Sequence, residues 1–389
     1  MKTAAIICEY NPFHNGHKYH IEQTRKQHGA THIVCVMTGN FTQRGDVALC
    51  DKYERARAAL MSGADLVLEL PVAFSLASAE YFARGAVHII KSLGCVDMLS
   101  FGSETGDSSI LKEAAGAVHF ALDSDAFLDY MKKGMSYPAA LKATVEEYYT
   151  SDVVDILTGP NNILGVEYIR ALDMAGGTIE PVTVKRYGAA HDSEEISRTV
   201  SASKLRKMIR NGEDVSLYTE FSGYENYACI ERLEAAILAK LRTMTRSDFE
   251  KLPNGGGGIE NRMVKAVKTA TSLPQLMLMI KSKNFTMSRV RRLILCAFLG
   301  ITKNDLKTMP SYIRILGMND KGKEILAASK DCPLPIDTSL SALSKTSDTA
   351  AKQVRLEERA GNMYALALEK RRPCGTEFTA KPIIIKENN

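Results

Sequence analysis

The sequence predicts an α/β fold: a parallel sheet carrying helices on both faces, followed by a mainly helical C-terminal domain. Three observations predict it. Short β-rich runs alternate with amphipathic stretches through the first half. The first run ends in a glycine-containing turn that opens a helix. Past residue 218 the strand-like runs nearly vanish and one helical pattern follows another.

Residues 4–8 read as a buried strand, 17–28 as a helix and 31–37 as a second strand, with a polar loop over 38–46. A helix over 51–62 leads to a third strand, 64–70, which stops at Pro71. A helix over 76–93 leads to a fourth strand, 96–101. In parallel sheets ligands bind beyond the carboxyl ends of the strands. The loops after Cys8, Met37 and Phe101 therefore share the candidate edge. Helices are expected at 111–122, 138–149 and 163–175. A strand at 179–185 leads through a polar loop to a helix beginning near Ser201. A boundary near 218 gives two domains, a catalytic 1–218 and a helical 219–389. Helices in the second are expected at 226–242, 261–270, 273–282 and 288–299, with a glycine loop after Asn254 and a last β-like run at 378–386.

Composition sets outer bounds. Hydrophobic residues make up 45% and charged residues 24%, enough apolar material for a sizeable core. The net charge of +5 permits a nucleic-acid partner without requiring one. None of the eight cysteines forms a C-x-x-C pair, so no metal site is expected, and their placement in apolar runs suits a reducing cytoplasm. The N-terminal apolar run is broken by Glu9, so it does not read as a signal peptide. No run of about 18 apolar residues predicts a membrane span.

The leading chemical signal is Glu9-Tyr10-Asn11-Pro12-Phe13-His14-Asn15-Gly16-His17. It follows the first strand and opens a helix. Gly16 lets backbone approach a ligand. The helix start offers free N–H groups and a positive dipole end, which favour phosphate. Two histidines three residues apart can donate hydrogen bonds to charge growing on an α-phosphate as pyrophosphate leaves. The plainer alternative is a proline-containing turn with two exposed histidines.

This stretch resembles the signature of the HIGH nucleotidyltransferase superfamily, so the expected architecture of the first domain is Rossmann-like. The resemblance implies nucleotide binding along Ile7, Cys8, Glu9, Tyr10, Asn11, Pro12, Phe13, His14, Asn15, Gly16, His17 and His20. The superfamily carries a second, late motif, and Val200-Ser201-Ala202-Ser203-Lys204-Leu205-Arg206 matches it, with Ala202 where a serine is usual. Ser201 reads as an N-cap. Ser203, Lys204 and Arg206 would project toward the phosphates. The alternative is an ordinary capped basic helix.

The whole chain resembles the bacterial tRNA(Met) cytidine acetate ligases. The matching stretches are 11–17, Thr38-Gly39-Asn40-Phe41-Thr42-Gln43-Arg44-Gly45, Phe101-Gly102-Ser103-Glu104, Gly159-Pro160-Asn161-Asn162-Ile163-Leu164-Gly165 and 185–192. That family implies a two-step reaction. Acetate attacks the α-phosphate of ATP, with magnesium accompanying the nucleotide. The acetyl group then passes to the wobble cytidine of elongator tRNA(Met), giving N(4)-acetylcytidine. His14, His17, Ser203, Lys204 and Arg206 are the expected catalytic residues. Gly102, Asn162 and Arg186 are expected at the nucleotide, although a turn glycine, a plain N-cap and a surface charge are the ordinary alternatives.

Asn40, Gln43 and Arg44 form a polar loop assigned to the acetate or cytidine side, against the alternative of a solvated loop. His191 and Asp192 are candidates for positioning RNA. Lys281, Lys283, Arg289, Arg291 and Arg292, helped by Lys265 and Lys268, are expected to track tRNA phosphates, against the alternative of a solvated basic face. Lys370-Arg371-Arg372 is a weaker cluster. Two other functions stay open: a cofactor-type adenylyltransferase, and a non-catalytic RNA-binding protein on the same fold. Gly317-Met318-Asn319-Asp320-Lys321-Gly322-Lys323-Glu324 imitates a phosphate loop, but Glu324 replaces the required hydroxyl and no convincing strand precedes it.

Overall fold

The computed structural model describes residues 1–186, 200–221, 225–253 and 255–386. His191, Asp192 and Asn254 lie outside the described residues.

The main sheet has eight strands: β1 (Thr3–Cys8), β2 (His32–Thr38), β5 (Leu66–Leu70), β6 (Met98–Ser103), β7 (Glu180–Lys185), β8 (Ile313–Met318), β9 (Ile336–Asp337) and β10 (Ile383–Ile384). Two short strands, β3 (Phe41–Thr42) and β4 (Asp46–Val47), pair as a separate antiparallel ribbon. The order in the main sheet is β10-β8-β5-β2-β1-β6-β7, with β9 also against β8. Every pairing in it is parallel except β5 with β8.

The central strands are apolar on both faces because both faces are covered. Side chains alternate along β1 and β2. Ala4, Ile6, Ile33, Cys35 and Met37 pack with helices Asn15–His28 and Lys52–Met61. Ala5, Ile7, Val34 and Val36 face the opposite way, toward helices Ala79–Ser92, Ser108–Leu122 and Pro160–Ala175. Five expected strands are present, each with boundaries shifted by one or two residues.

Residues after 219 do not stand apart from this sheet, because β8, β9 and β10 extend it at the β5 side. The β-like run expected at 378–386 is a helical turn, Thr376–Thr379, followed by the short β10. A strand, β8, does precede the imitation phosphate loop, which corrects the expectation. The loop is nonetheless closed to a ligand. A Cβ on Gly322 would stand 2.2 Å from the Asp65 carbonyl oxygen, Asn319 caps the next helix, and Glu324 pairs with His32 at 3.0 Å. Since β8 runs antiparallel to β5, its carboxyl end also points to the edge opposite the His14–His17 turn.

A buried ionic knot ties the two halves together. Lys52 Nζ lies 2.6 Å from Glu69 and 2.7 Å from Glu377. Arg314 lies 2.9 Å from Glu69 and 2.5 Å from Glu377, and donates to the Tyr53 hydroxyl at 2.8 Å. All four charged side chains are at most 5% exposed. The set is two cations and two anions, which is what allows it to stay ionised away from water. The knot supports the loop after β2 from below. A Cβ on Gly39 would stand 2.5 Å from Glu69 Oε1, and the Lys52 backbone N–H donates to Asn40 Oδ1 at 3.0 Å.

Candidate active site

The turn after β1 is built from its own side chains. Tyr10 adopts φ 46°, an uncommon conformation for a residue with a side chain. Burial of its ring holds it there: the ring packs on Phe13 at 4.8 Å and on His17 at 4.9 Å. The helix Asn15–His28 begins two residues earlier than its pattern suggests, because the histidines themselves cap it. His14 Nδ1 accepts the Gly16 N–H at 3.1 Å, and His17 Nδ1 accepts the His14 N–H at 3.3 Å. The two rings stack at 3.7 Å. Gly16 makes this possible, since a Cβ there would press on the folded-back His14 ring at 3.0 Å.

This geometry fixes the protons. Both Nδ1 atoms accept, so each neutral ring carries its hydrogen on Nε2. Among the described residues neither Nε2 has a hydrogen-bond partner. Burial lowers the His14 pKa to about 4, helped by the charge of Arg186. Burial and the neighbouring His14 push His17 well below its ordinary value. The pair is thus two neutral N–H donors near pH 7. His20 is lowered to about 4 by burial, and its Nε2 meets Ser100 Oγ on β6 at 3.0 Å. The side chain of Ile7 lies in the core, and the Cys8 thiol, pushed up by burial, faces the Val36 carbonyl.

The second motif docks directly on this turn. Helix Ala202–Arg210 is capped by Ser201, whose Oγ accepts the Lys204 N–H at 3.2 Å. Arg206 donates to the Asn11 carbonyl at 2.7 Å and to Ser203 Oγ at 3.1 Å. The segment that follows seals the contact. Asn15 Nδ2 donates to the Leu217 carbonyl at 3.0 Å, Thr219 Oγ1 donates to the Phe13 carbonyl at 3.0 Å, and Lys18 pairs with Glu220 at 2.6 Å. Residues almost 200 positions apart therefore form one surface, with Ser203 and Lys204 exposed on it.

The loops after β2 and β6 complete the edge. Fully buried Arg55 holds the carbonyls of Glu9, Thr38, Gly39 and Cys50 in one grip. Nothing in the sequence singled it out, because it sits inside an ordinary helical pattern. Asn40 is buried and gives Oδ1 to the Lys52 N–H, while the Gln43 N–H binds Glu9 Oε1 at 2.7 Å. Arg44 is exposed beside Glu9, Arg186 and Arg206. After β6, the Arg186 side chain crosses Gly102, where a Cβ would meet Arg186 Cγ at 3.0 Å. Asn162 is 5% exposed, and its Oδ1 accepts the Glu104 N–H at 2.9 Å. Glu104 in turn caps the start of helix Pro160–Ala175 through the N–H groups of Asn161 and Asn162. Glu104 was also missed, although a carboxylate aimed at a helix start is a recognisable pairing once the fold is known.

The basic group at 281–292 divides. The N-terminal end of helix Met287–Leu299 lies on the loop after β2, since a Cβ on Gly45 would stand 2.6 Å from Arg291 Cβ. Arg292 donates to the Gln43 carbonyl at 3.2 Å, and Arg289 lies over the Phe285 ring at 5.0 Å. Arg291, Lys281 and Lys283 are exposed. A separate cavity of about 700 Å³, between Val96, Ile169 and Glu180, opens at the opposite edge of the sheet. Among the described residues no helix is long and apolar enough to cross a membrane.

Comparison with known proteins agrees with this geometry. The family model described as HIGH Nucleotidyl Transferase matches residues 1–377. A protein of Acetivibrio thermocellus named tRNA(Met) cytidine acetate ligase is 36% identical, with 99% of this chain and 100% of that protein covered. One of the same name from Syntrophomonas wolfei is 34% identical, covering 98% and 99%. The crystal structure of Thermotoga maritima TmcAL bound with alpha-thio ATP superposes with a TM-score of 0.90 at 32% identity, over 99% of this chain and 100% of that one. The chain belongs to the HIGH nucleotidyltransferases, within the family of the tRNA(Met) cytidine acetate ligases.

Proposed function

We propose that this chain activates acetate with ATP as acetyl-adenylate and transfers the acetyl group to the wobble cytidine of elongator tRNA(Met), forming N(4)-acetylcytidine. The observation that carries the chemistry is the docking of Arg206 onto the Asn11 carbonyl. It brings helix Ala202–Arg210 against the turn that carries the stacked histidines, which supports a shared role for the two motifs. The names of the aligned relatives supply the substrate class.

In the first step an acetate oxygen attacks the α-phosphorus and the bond to the β-phosphate oxygen breaks. Charge gathers on the α-phosphate oxygens. The Nε2–H groups of His14 and His17 donate to that charge without carrying any of their own, so they need no counter-ion before ATP arrives. Ser203, Lys204 and Arg206 hold the β- and γ-phosphates and the departing pyrophosphate. Gly102 leaves room for Arg186 to lie across the end of β6, Arg186 covers the nucleoside there, and the Asn162 amide nitrogen is its polar contact. Ile7 to Phe13 contribute mainly through backbone and through the shape they give the turn.

Magnesium would travel with the triphosphate, held by its oxygens and by water. Among the described residues no group of three or more His, Cys, Asp or Glu gathers to hold an ion. Residues 1–218 carry the ATP chemistry in this reading, and the exposed cations Arg44, Lys281, Lys283 and Arg291 carry tRNA.

The test is incubation with labelled acetate, ATP and unmodified bulk tRNA. Acid-stable label in tRNA, absent when ATP is withheld, is the expected result. Label that does not depend on tRNA, or none at all, overturns the proposal.

A further inference from the structure

Glu9 stands between the histidine turn and the loop after β2. One of its carboxylate oxygens is anchored, because Oε1 accepts the Gln43 N–H at 2.7 Å. Its backbone is anchored too, since the Arg55 guanidinium binds the Glu9 carbonyl at 2.5 Å. The second carboxylate oxygen has no hydrogen-bond partner among the described residues. The side chain is half-buried. Three arginines from three elements face it: Arg44 from the loop after β2, Arg206 from helix Ala202–Arg210 and Arg55 from helix Lys52–Met61. Tyr168, on helix Pro160–Ala175, also feels its charge. Burial raises its proton affinity above that of an ordinary glutamate despite these cations.

A carboxylate with one oxygen fixed and one open is an oriented proton acceptor. We propose that Glu9 takes the proton from the exocyclic amine of the acceptor cytidine during acetyl transfer. The inference rests on the reading given under Proposed function. The amine lone pair attacks the acetyl carbonyl carbon, and the bond from that carbon to the adenylate oxygen breaks. AMP leaves as an anion, one amine proton passes to the open oxygen of Glu9, and Glu9 returns it to water. No oxidant or further reactant is needed.

The experiment separates the two steps in the full-length protein. Acetate-dependent exchange of labelled pyrophosphate into ATP reads the first step. Single-turnover transfer of labelled acetyl to tRNA reads the second. Glu9→Gln keeps an oxygen for the Gln43 N–H. Transfer is expected to fall by about a hundred-fold or more beyond any change in exchange.

The wild-type transfer rate falls as pH drops through the Glu9 ionisation, because the protonated acid cannot accept. That limb is lost in Glu9→Gln and retained in Glu9→Asp. Equal loss of exchange and transfer, near-normal transfer, or a surviving pH limb in Glu9→Gln would overturn the assignment. Absence of both signals in the wild-type protein would instead remove the acetyl-transfer reading, and this inference with it.

Discussion

Two polar clusters lie at the carboxyl edge of the sheet, and they differ in where their hydrogen bonds point. The His14–His17 pair binds its own helix start through Nδ1 and leaves Nε2 unpartnered among the described residues. The Lys52–Glu69–Arg314–Glu377 knot turns its charges on one another. The first cluster is neutral and open. The second is ionic and closed. The difference teaches how one edge can be both rigid and reactive: the knot fixes the loop at Gly39 and Asn40 from below, so the histidines need only hold themselves.

The knot gives the largest expected effect. Arg314→Ala leaves two buried carboxylates facing Lys52 alone. Breaking a buried pair in this way costs about 3–5 kcal/mol, which urea denaturation would read directly. A loss below about 1 kcal/mol would mean that the knot does not hold the halves together, and the contrast drawn here would fail.

The histidines come next, with the opposite signature. In the proposed reaction His17→Ala removes a donor to the α-phosphate, and loss of one such donor lowers the rate by about 10²–10³. Its stability cost is that of a helix cap, about 1 kcal/mol. The His14 pKa is lowered to about 4, so the pair stays neutral until pH approaches that value. The acetate-dependent pyrophosphate exchange rate should therefore show no histidine ionisation near pH 6.5. It should decline only as pH falls toward 4, where a proton on Nδ1 displaces the backbone N–H that the ring accepts and loosens the turn. An apparent pKa near 6.5 in that exchange would show that burial does not hold the pair neutral through the acid range.

The same contrast explains what could be read in advance. The first motif is contiguous, with Asn11, His14, Gly16 and His17 within seven residues, so its chemistry shows in the chain itself. Strands β1, β2 and β5 were legible because burial on both faces makes them nearly continuous apolar runs, whereas the edge strand β7 shows only Val182 and Val184 inside a polar stretch. The knot was not legible. Lys52 and Arg314 are 262 positions apart in the sequence, and each looks like an ordinary surface charge.

Strand β8 was missed because it lies in a half dominated by helical patterns. The longest helix, Asp348–Ala367, was missed for another reason: its buried face contains Ala350, Gln353, Glu357, Ala360 and Gly361, which leave little apolar periodicity. The Ser201–Arg206 motif was visible. Its hydrogen bond to Asn11 was not, because that contact depends on the return of the chain across the sheet edge.

Glu357 extends the comparison to pH. It lies beside the knot and accepts the Val72 N–H at 2.6 Å. The four knot charges already balance, so no cation is left for it. Burial, with Glu69 adding repulsion, raises its pKa to about 8. A carboxyl whose folded pKa is raised contributes stability at low pH and loses it as pH climbs through the folded pKa. Glu357→Gln keeps the hydrogen bond and removes the titration. The variant should gain on the wild type as pH rises from about 5 to 8, by an order of 1–3 kcal/mol, and the gain should then level off. Urea midpoints at pH 6 and pH 8.5 would test this, and an unchanged difference would place a cation on Glu357 after all.

The smallest effect concerns the seam between the clusters and the helical half. Arg291 and Arg292 are neighbours with different tasks. Arg292 is half-buried and donates to the Gln43 carbonyl, so Arg292→Ala should loosen the loop that holds Glu9 and slow both reaction steps. Arg291 is exposed, and its charge adds slightly to the field that favours the Asp46 carboxylate. If it meets a tRNA phosphate, Arg291→Ala should leave pyrophosphate exchange and stability unchanged. It should weaken tRNA binding and lower the slope of log affinity against log salt by about 1. A filter-binding titration at several salt concentrations measures that slope. An unchanged slope would assign Arg291 to packing against Gly45 alone and move the tRNA path toward Lys281 and Lys283.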